Sequence, residues 1–247
     1  IFFFKDIEEI NTKNSFIFNS VPQFKKSHLN LWQHFCGVEI QTKNDFFDEE
    51  IFNLMDFDCE QRESVHFFYT LPYSKKKALV ETTWLSRMND NSQKDYESQI
   101  KDYIGKHLKI KDYEIIYKEV GAIPLFYPSF KNEKNKINIG TAGGMTRLST
   151  GYTFLNIQEH SKFIRKNIEC ISTTNKFEIS KKYKLLDDIF LRVLDNHPEK
   201  MSDIFFKMFK ASPNTVIKFL SNKSNFFEDL KVILKMPKWT FIKALFY

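Results

Sequence analysis

Three carboxylates stand inside apolar runs of the sequence and are the residues best suited to acid–base chemistry. Glu39, Asp56 and Glu81 lie within residues 35–40, 54–57 and 78–84. A carboxyl group that loses water on burial favours its neutral form, so its pKa rises and it can act as a general acid near neutral pH. Each could instead mark the polar face of a half-exposed strand. Their occurrence in neighbouring predicted strands favours a shared site.

A glycine-rich segment offers a second kind of chemistry. It holds four of the chain's seven glycines and two further candidate ligand contacts: Gly140, Gly143, Gly144, Met145, Thr150 and Gly151. Glycine lets a backbone approach a ligand closely, and a helix that begins after it offers free N–H groups. Such a turn can hold a phosphate or a flavin ring, although a plain strand-to-helix connection would look the same. Neither a Walker A loop nor a GxGxxG fingerprint occurs in the chain.

Metal and nucleophile chemistry find little support in the sequence. The six histidines form no HxH, HxxxH or HExxH pattern, and no GxSxG motif marks a nucleophilic serine. Cys36, Cys59 and Cys170 lie far apart, which excludes a disulfide scaffold and a cysteine zinc site. Unpaired cysteines suit a reducing cytoplasm. We therefore expect no metal.

Composition indicates a folded chain with a basic end. The 247 residues include 27 Phe, 10 Tyr and 3 Trp, enough apolar surface for a core. The net charge of +6 arises entirely from residues 181–247, which hold 13 basic and 7 acidic side chains. No apolar run approaches the length of a membrane-spanning helix. The basic, Phe-rich end could meet an anionic surface, or its lysines could simply solvate a helix face.

The periodicity predicts strands first and helices afterwards. Expected strands are Phe16–Asn19, Leu31–Thr42, Ile51–Phe57, Val65–Leu71, Ala78–Trp84, Tyr113–Val120 and Ile137–Thr141, with one helix near Ser92–Leu108. Later helices are expected over Tyr152–Ile171, Tyr183–Asp195 and Phe226–Lys235, and one should begin at Ser212-Pro213. These elements predict an α+β fold, in which a mixed or antiparallel sheet is followed by amphipathic helices.

Several ordered segments of the chain resemble flavin-dependent lycopene cyclases. They are residues 31–40, 54–57, 68–74, 78–81, 121–124, 139–144, 149–152, 219–220 and 238–245, the last two being similar to bacterial members. Family members begin with a βαβ unit bearing a dinucleotide fingerprint, which this sequence lacks, so the resemblance is to a carboxyl-terminal portion. Asn-Ser-Val-Pro at 19–22 replaces the relatives' common Asp-Ser-Arg-Pro. Thr82 stands where some relatives carry a second acid.

The resemblance implies a fold like the later part of an FAD/NAD(P)-binding hydroxylase-like flavoprotein. Its implied portions are residues 1–138, mainly β and substrate-binding; 139–171, a flavin-contacting glycine turn and helix; and 172–247, a basic helical tail. The implied reaction cyclises the linear ends of lycopene to β-rings, giving γ- and β-carotene. It proceeds by protonation, ring closure and deprotonation, with no net redox change.

The resemblance also implies roles for particular residues. Glu81 would be the acid or cation stabiliser, Glu39 its partner and Asp56 an orienter. Reduced FAD, renewed by NAD(P)H, would contact the glycine-rich segment, and no nucleic acid would be involved. Because the fingerprint is missing, we expect the isolated chain to bind FAD weakly or not at all, and it could be inactive alone.

A water-insoluble carotene substrate implies peripheral contact with a membrane from the cytoplasm. Aromatic and basic tail residues could provide it: Phe205, Phe206, Phe209, Phe219, Phe226, Phe227, Trp239 and Phe246 beside Lys207, Lys210, Lys218, Lys231, Lys235, Lys238 and Lys243. The same aromatics could pack on the sheet instead. Two other functions remain open: a flavoprotein oxidoreductase or hydroxylase acting on another isoprenoid lipid, and a non-catalytic lipid-binding fragment at a membrane surface.

Overall fold

Four long strands and one short strand build the main sheet of the protein. The computed structural model describes residues 16–24, 30–88, 91–129, 135–171, 173, 177 and 179–246. The sheet strands are β2 (Leu31–Thr42), β3 (Asn53–Asp56), β4 (Val65–Ser74), β5 (Lys77–Arg87) and β6 (Tyr113–Pro124). They lie in the order β3-β4-β5-β2-β6, and every neighbouring pair is antiparallel. Aromatic and β-branched residues dominate the central strands, which suits a pleated, buried surface.

A two-stranded parallel pair lies outside the main sheet. It joins β1 (Ile17–Asn19) to β7 (Lys136–Asn138), with Phe18 opposite Ile137. The Asn19 side-chain amide donates to Asn138 Oδ1 at 2.8 Å, which ties the ends of the two strands together. The glycine-rich segment follows β7 directly, so this pair positions the start of that segment.

Seven α-helices complete the described part of the chain. They are α1 (Tyr96–Asp102), α2 (Phe154–Lys166), α3 (Lys181–Asn196), α4 (Met201–Phe209), α5 (Pro213–Leu220), α6 (Phe226–Ile233) and α7 (Lys238–Lys243). α1 is flanked by a 3₁₀ turn at Ser92–Asp95 and a π-helical turn at Tyr103–His107. α5 begins at Pro213 as the sequence predicts, and a capping box between Asn225 and Glu228 starts α6. The predicted α+β fold is confirmed.

The two faces of the main sheet bury separate cores. On one face, here called the tail face, Phe67 and Leu85 pack with residues of α3 to α7 such as Phe205. On the other, here called the α1 face, Phe68 and Val80 pack with Tyr103 and its neighbours. Successive strand residues point to opposite faces, so this division assigns each strand side chain to one side.

The helices α3 to α7, here called the tail helices, divide their aromatic residues between the core and the surface. Phe205 and Phe219 are buried, whereas Phe226, Phe227 and Trp239 are exposed. The exposed rings leave apolar surface on the outer side of the tail. None of the helices described is both long enough and apolar enough to cross a bilayer.

Candidate functional site

A row of four residues crosses the tail face at the centre of the sheet. Tyr69 of β4 lies opposite Glu81 of β5, Glu81 opposite Gly37 of β2, and Gly37 opposite Glu119 of β6. These four residues are here called the carboxylate row. Because paired residues of antiparallel strands share a face, the row brings two carboxyl groups and one phenol to the same side of the sheet.

Glu81 is the most strongly perturbed carboxyl group of the row. It is 8 % exposed, and burial raises its pKa from 4.5 to about 7. The Thr83 hydroxyl donates to Glu81 Oε1 at 2.7 Å and opposes that rise, whereas the charge of Glu119 adds to it. A carboxyl group with a pKa near 7 can both hold and release a proton at neutral pH, as a general acid must.

Gly37 lets the side chains of Leu79 and Glu119 pack closely over the centre of the row. A Cβ atom at this position would lie 3.0 Å from Leu79 Cδ1 and 3.2 Å from Glu119 Cγ. Both contacts are tight, so a larger side chain would displace its neighbours or fill the space beside Glu81. Burial raises the pKa of the Tyr69 phenol, and the charge of Glu81 raises it further. Tyr69 therefore stays neutral beside the acid.

Glu39 shares the tail face with Glu81 but forms an ion pair of its own. It lies two residues beyond Gly37 on β2, opposite Leu79. Lys77 Nζ is 2.6 Å from Glu39 Oε2, and the Glu39 side chain is partly exposed. The structure therefore places Glu39 at the rim of the row as an ion-paired carboxylate.

Asp56 lies on the α1 face, away from Glu81. On β4 its partner is Phe68, whereas the partner of Glu81 is the next residue, Tyr69. The Tyr103 hydroxyl donates to Asp56 Oδ2 at 2.6 Å, on the side of the second core. Asp56 therefore cannot orient Glu81 directly, which corrects that expectation. The sequence pattern could not show this, because the irregular β3–β4 pairing decides the face.

The glycine-rich segment forms a compact turn, here called the glycine turn (residues 140–151). Gly140–Gly143 is a 3₁₀ turn, and Gly140, Gly144 and Gly151 have φ values of 58°, 73° and 69°. These left-handed conformations explain why glycine is needed there. A Cβ atom at Gly140 would meet nothing within 4 Å, so the turn is open at that end.

The other end of the glycine turn lies against the tail face. A Cβ atom at Gly151 would be 2.0 Å from Gln33 Oε1, so only glycine permits this approach. Gln33 Oε1 and Thr150 Oγ1 are buried and have no hydrogen-bond partner among the described residues. Gln33 is four residues from Gly37 along β2, which corresponds to about 13 Å. A ligand held by the turn would thus lie near the carboxylate row.

Met145 and Gly143 have structural roles within the same turn. Met145 is buried, and its carbonyl accepts a hydrogen bond from the Asn156 side chain at 2.8 Å. A Cβ atom at Gly143 would lie 2.6 Å from the carbonyl oxygen of Asn138. These two residues therefore hold the turn between β7 and α2 rather than offering open contacts.

Asp187 on α3 is a buried carboxylate that holds the glycine turn from the side of the tail helices. It accepts hydrogen bonds from Arg147 Nη2 at 2.8 Å, from the Leu148 backbone N–H at 3.0 Å and from Ser149 Oγ at 2.7 Å. Arg147 also donates to the carbonyl of Phe219. This cluster was not predicted from the sequence. Two features could have indicated it: an acid within the buried stripe of an amphipathic helix, and an arginine within a glycine-rich segment.

Metal binding finds no counterpart in the structure. Within the described ranges, no three His, Cys, Asp or Glu side chains are grouped so that they could hold an ion. The candidate site therefore consists of a buried acid, its polar neighbours and the glycine turn.

Comparisons with known proteins identify the family of the chain and a similar fold. A family model described as "Lycopene cyclase protein" matches residues 5–245. No curated protein gives a significant match.

Solved structures show a similar fold at low sequence identity. A geranylgeranyl bacteriochlorophyll reductase-like protein from Thermoplasma acidophilum is 15 % identical, with a TM-score of 0.53, over 89 % of this chain and 56 % of its own. A flavin-dependent brominase is 9 % identical, with a TM-score of 0.42, over 83 % of this chain and 50 % of its own. A p-nitrophenol 4-monooxygenase from Pseudomonas putida is 11 % identical, with a TM-score of 0.36, over 96 % and 57 %. The chain thus spans little more than half the length of these structures.

Proposed function

The chain belongs to the lycopene cyclase family, and from that premise we propose that it provides the substrate-converting part of a carotene cyclase. The reaction closes the linear ends of lycopene into β-rings, giving γ- and then β-carotene. Family membership links the chain to carotenoid biosynthesis. The observation that carries the proposed chemistry is the buried Glu81 with its pKa raised to about 7.

Ring closure needs a proton donor that water cannot replace. A proton passes from the Glu81 carboxyl to the terminal double bond of the linear end, which leaves a tertiary carbocation. The neighbouring double bond attacks this cation, and a six-membered ring forms. A proton is then lost from the ring to give the β-end group, so the product has the same mass as the substrate. Burial keeps the Glu81 carboxyl partly protonated at neutral pH, so the proton is available at the site, and the fixed position of the acid lowers the barrier to its transfer.

The positive charge of the intermediate needs partners on the same face. Tyr69 lies directly opposite Glu81, and Glu119 lies in the same row on the far side of Gly37. An aromatic ring attracts a cation through its electron-rich face, and a carboxylate does so by direct charge. We assign Tyr69 and Glu119 to stabilisation of the cation. We assign Glu39, at the rim of the row, to a supporting role through its negative charge.

The glycine turn fits the edge of a planar, polar cofactor such as a flavin. Its open end at Gly140 allows close backbone approach, and the buried atoms Thr150 Oγ1 and Gln33 Oε1, which have no partner among the residues described, supply unused hydrogen-bonding capacity. When bound, reduced FAD, renewed by NAD(P)H, would supply an electron-rich ring that stabilises developing positive charge. The chain's own contribution is to orient that ring near Glu81.

We further propose that the enzyme works at the cytoplasmic surface of a membrane. A linear carotene dissolves in lipid and not in water, so the enzyme must collect it there. Support comes from the exposed Phe226, Phe227, Trp239 and Phe246, which share the tail with a surplus of lysines. Aromatic side chains can insert at a bilayer interface while lysines meet anionic headgroups.

The reaction type can be tested by product analysis in heavy water. Lycopene supplied to the protein expressed from its complete coding frame should yield cyclic carotenes. Each ring formed should carry one deuterium, because one solvent-derived proton enters and one substrate proton leaves. A product with added hydrogen or oxygen mass would instead show a redox enzyme and would contradict the proposal.

A further inference from the structure

A cavity of about 340 Å³ lies among the tail helices, beside the glycine turn. We propose that it binds the hydrocarbon chain of a linear isoprenoid while the reacting end of the same molecule lies at the carboxylate row. The identity of the chain rests on the proposed function. The cavity itself, here called the tail cavity, is defined by the packing of α3, α5 and α7 around it.

The walls of the tail cavity are almost entirely apolar. α3 contributes Leu186 and Ile189, α5 contributes Phe219, and α7 contributes Phe241 and Ile242. A cavity of a few hundred cubic ångströms with such walls suits an apolar ligand, because burying hydrocarbon surface there releases it from water. A polar ligand would lose its hydration without gaining partners.

At the inner end of the cavity, two of the three polar side chains already have hydrogen-bond partners. Arg147 is committed to Asp187, the Phe219 carbonyl and Asn222. Ser149 Oγ donates to Asp187. Thr150 Oγ1 remains, buried and without a partner in the described part of the chain. Because its charge is already paired with Asp187, Arg147 is not an unpaired cation that would attract an anionic headgroup into the cavity.

The inner end of the tail cavity lies beside the glycine turn, which contacts the same sheet face as the carboxylate row. Thr150 lines the cavity, and its neighbour Gly151 touches Gln33 on the tail face. From Gln33 the carboxylate row is about 13 Å away along β2. A linear isoprenoid long enough to be cyclised at one end can span this distance and still leave most of its chain in the cavity.

The outer end of the tail cavity faces the surface proposed to meet the membrane. Leu234, Ile242 and Leu245 line the cavity and are each about half exposed. Trp239, beside them on α7, is 77 % exposed. This continuity gives a hydrocarbon chain an apolar path from a bilayer to the glycine turn.

The proposed occupant is a chain without a headgroup, and Lys238 allows that choice to be tested. Lys238 contributes the ammonium group among the cavity-lining side chains. A fatty acid or phospholipid seated here would place its anionic group near that ammonium. A carotene would not, so its retention should not depend on Lys238.

The test measures retained lycopene, counted as the extracted lycopene plus its cyclised products per protein molecule. The protein is expressed from its complete coding frame in lycopene-accumulating cells, purified in detergent and assayed by absorbance and chromatography of extracted pigment. Leu186→Trp fills the cavity, and Leu185→Trp, on the exposed side of the same helix, is the matched control. Ile242→Trp repeats the test at the half-exposed outer end, where a larger ring disturbs the core less.

We expect Leu186→Trp and Ile242→Trp to lower retained lycopene at least about tenfold, a loss of about 1.4 kcal/mol in binding. Leu185→Trp and Lys238→Gln should retain wild-type amounts. Retention equal to wild type in Ile242→Trp and in folded Leu186→Trp would overturn the proposal, and loss of lycopene in Lys238→Gln would contradict an occupant that makes no use of the Lys238 ammonium group. Glu81→Gln separates the two proposals, because it should retain lycopene without cyclising it. If Glu81→Gln still cyclises, the proposed chemistry fails while the cavity assignment stands.

Discussion

The pKa of Glu81 is raised mainly by burial and less by its charged neighbour. Burial on the tail face raises the pKa, and the Thr83 hydroxyl compensates only part of that effect. Glu39 has a similar sequence setting but pairs with Lys77 at the rim, and Asp56 turns to the α1 face. The sequence could identify three carboxylates in apolar strands. It could not rank them, because strand pairing and register decide which side chain is desolvated.

The ionisation of Glu81 should appear in the pH dependence of stability. The folded-state pKa of about 7 exceeds the value of 4.5 for an unperturbed glutamate. The folded protein therefore binds more protons between these values, and its free energy of unfolding falls as pH rises through that window. The shift corresponds to a loss on the order of 3 kcal/mol.

Glu81→Gln removes this titration, so the variant should gain stability relative to wild type as pH rises from 5 to 8. Urea unfolding across that range measures the difference. Glu114→Gln, exposed on β6, should leave the pH profile unchanged. A constant difference between wild type and Glu81→Gln at all pH values would show that the pKa of Glu81 is not raised.

At the scale of elements, α3 links the tail helices to the glycine turn. Asp187 accepts hydrogen bonds from the Arg147 side chain, the Leu148 N–H and the Ser149 hydroxyl. The strands and most helices were predictable because period-2 and period-3.6 patterns report local structure. The contact between Arg147 and Asp187 joins residues forty positions apart, and it produces no periodic pattern in the sequence. The turn was therefore identified from its glycines, whereas the residue that holds it was not.

Asp187→Asn should destabilise the protein and loosen the turn. It leaves the buried Arg147 guanidinium without its counter-charge, and breaking a buried pair in this way typically costs about 3–5 kcal/mol. Chemical denaturation gives the stability change, and hydrogen exchange of residues 147–151 reports on the turn. Asp188→Asn, at the exposed neighbouring position, is the control and should change neither quantity. Equal exchange rates in both variants would contradict the holding role of Asp187.

At the scale of the whole molecule, apolar surface is concentrated on the outer side of the tail. Phe205 and Phe219 belong to the core, whereas Phe226, Phe227 and Trp239 remain exposed. Composition alone could indicate an aromatic, basic tail but could not divide its rings between core and surface. That division depends on which face of each short helix meets the sheet.

Removing exposed rings should weaken membrane binding without unfolding the protein. We expect Phe226→Ser/Phe227→Ser to bind anionic vesicles several-fold more weakly than wild type in co-sedimentation. Wild-type binding should favour anionic over neutral lipid and fall as salt rises, because lysine–headgroup attraction is screened. Ile115→Ser/Ile116→Ser, which removes exposed apolar residues from β6, is the matched control. Negligible wild-type binding under every condition would assign the tail to a role away from membranes.

Cyclisation by Glu81→Gln is the measurement that tests the proposed proton donor most directly. The substitution keeps the size of the side chain and removes its acidic proton. In the protein expressed from its complete coding frame, the rate of β-ring formation from lycopene should fall about 10²–10⁴-fold, with folding and lycopene retention preserved. Glu114→Gln, assayed in parallel, should cyclise at the wild-type rate. A Glu81→Gln variant that forms β-rings as fast as wild type would show that another group donates the proton.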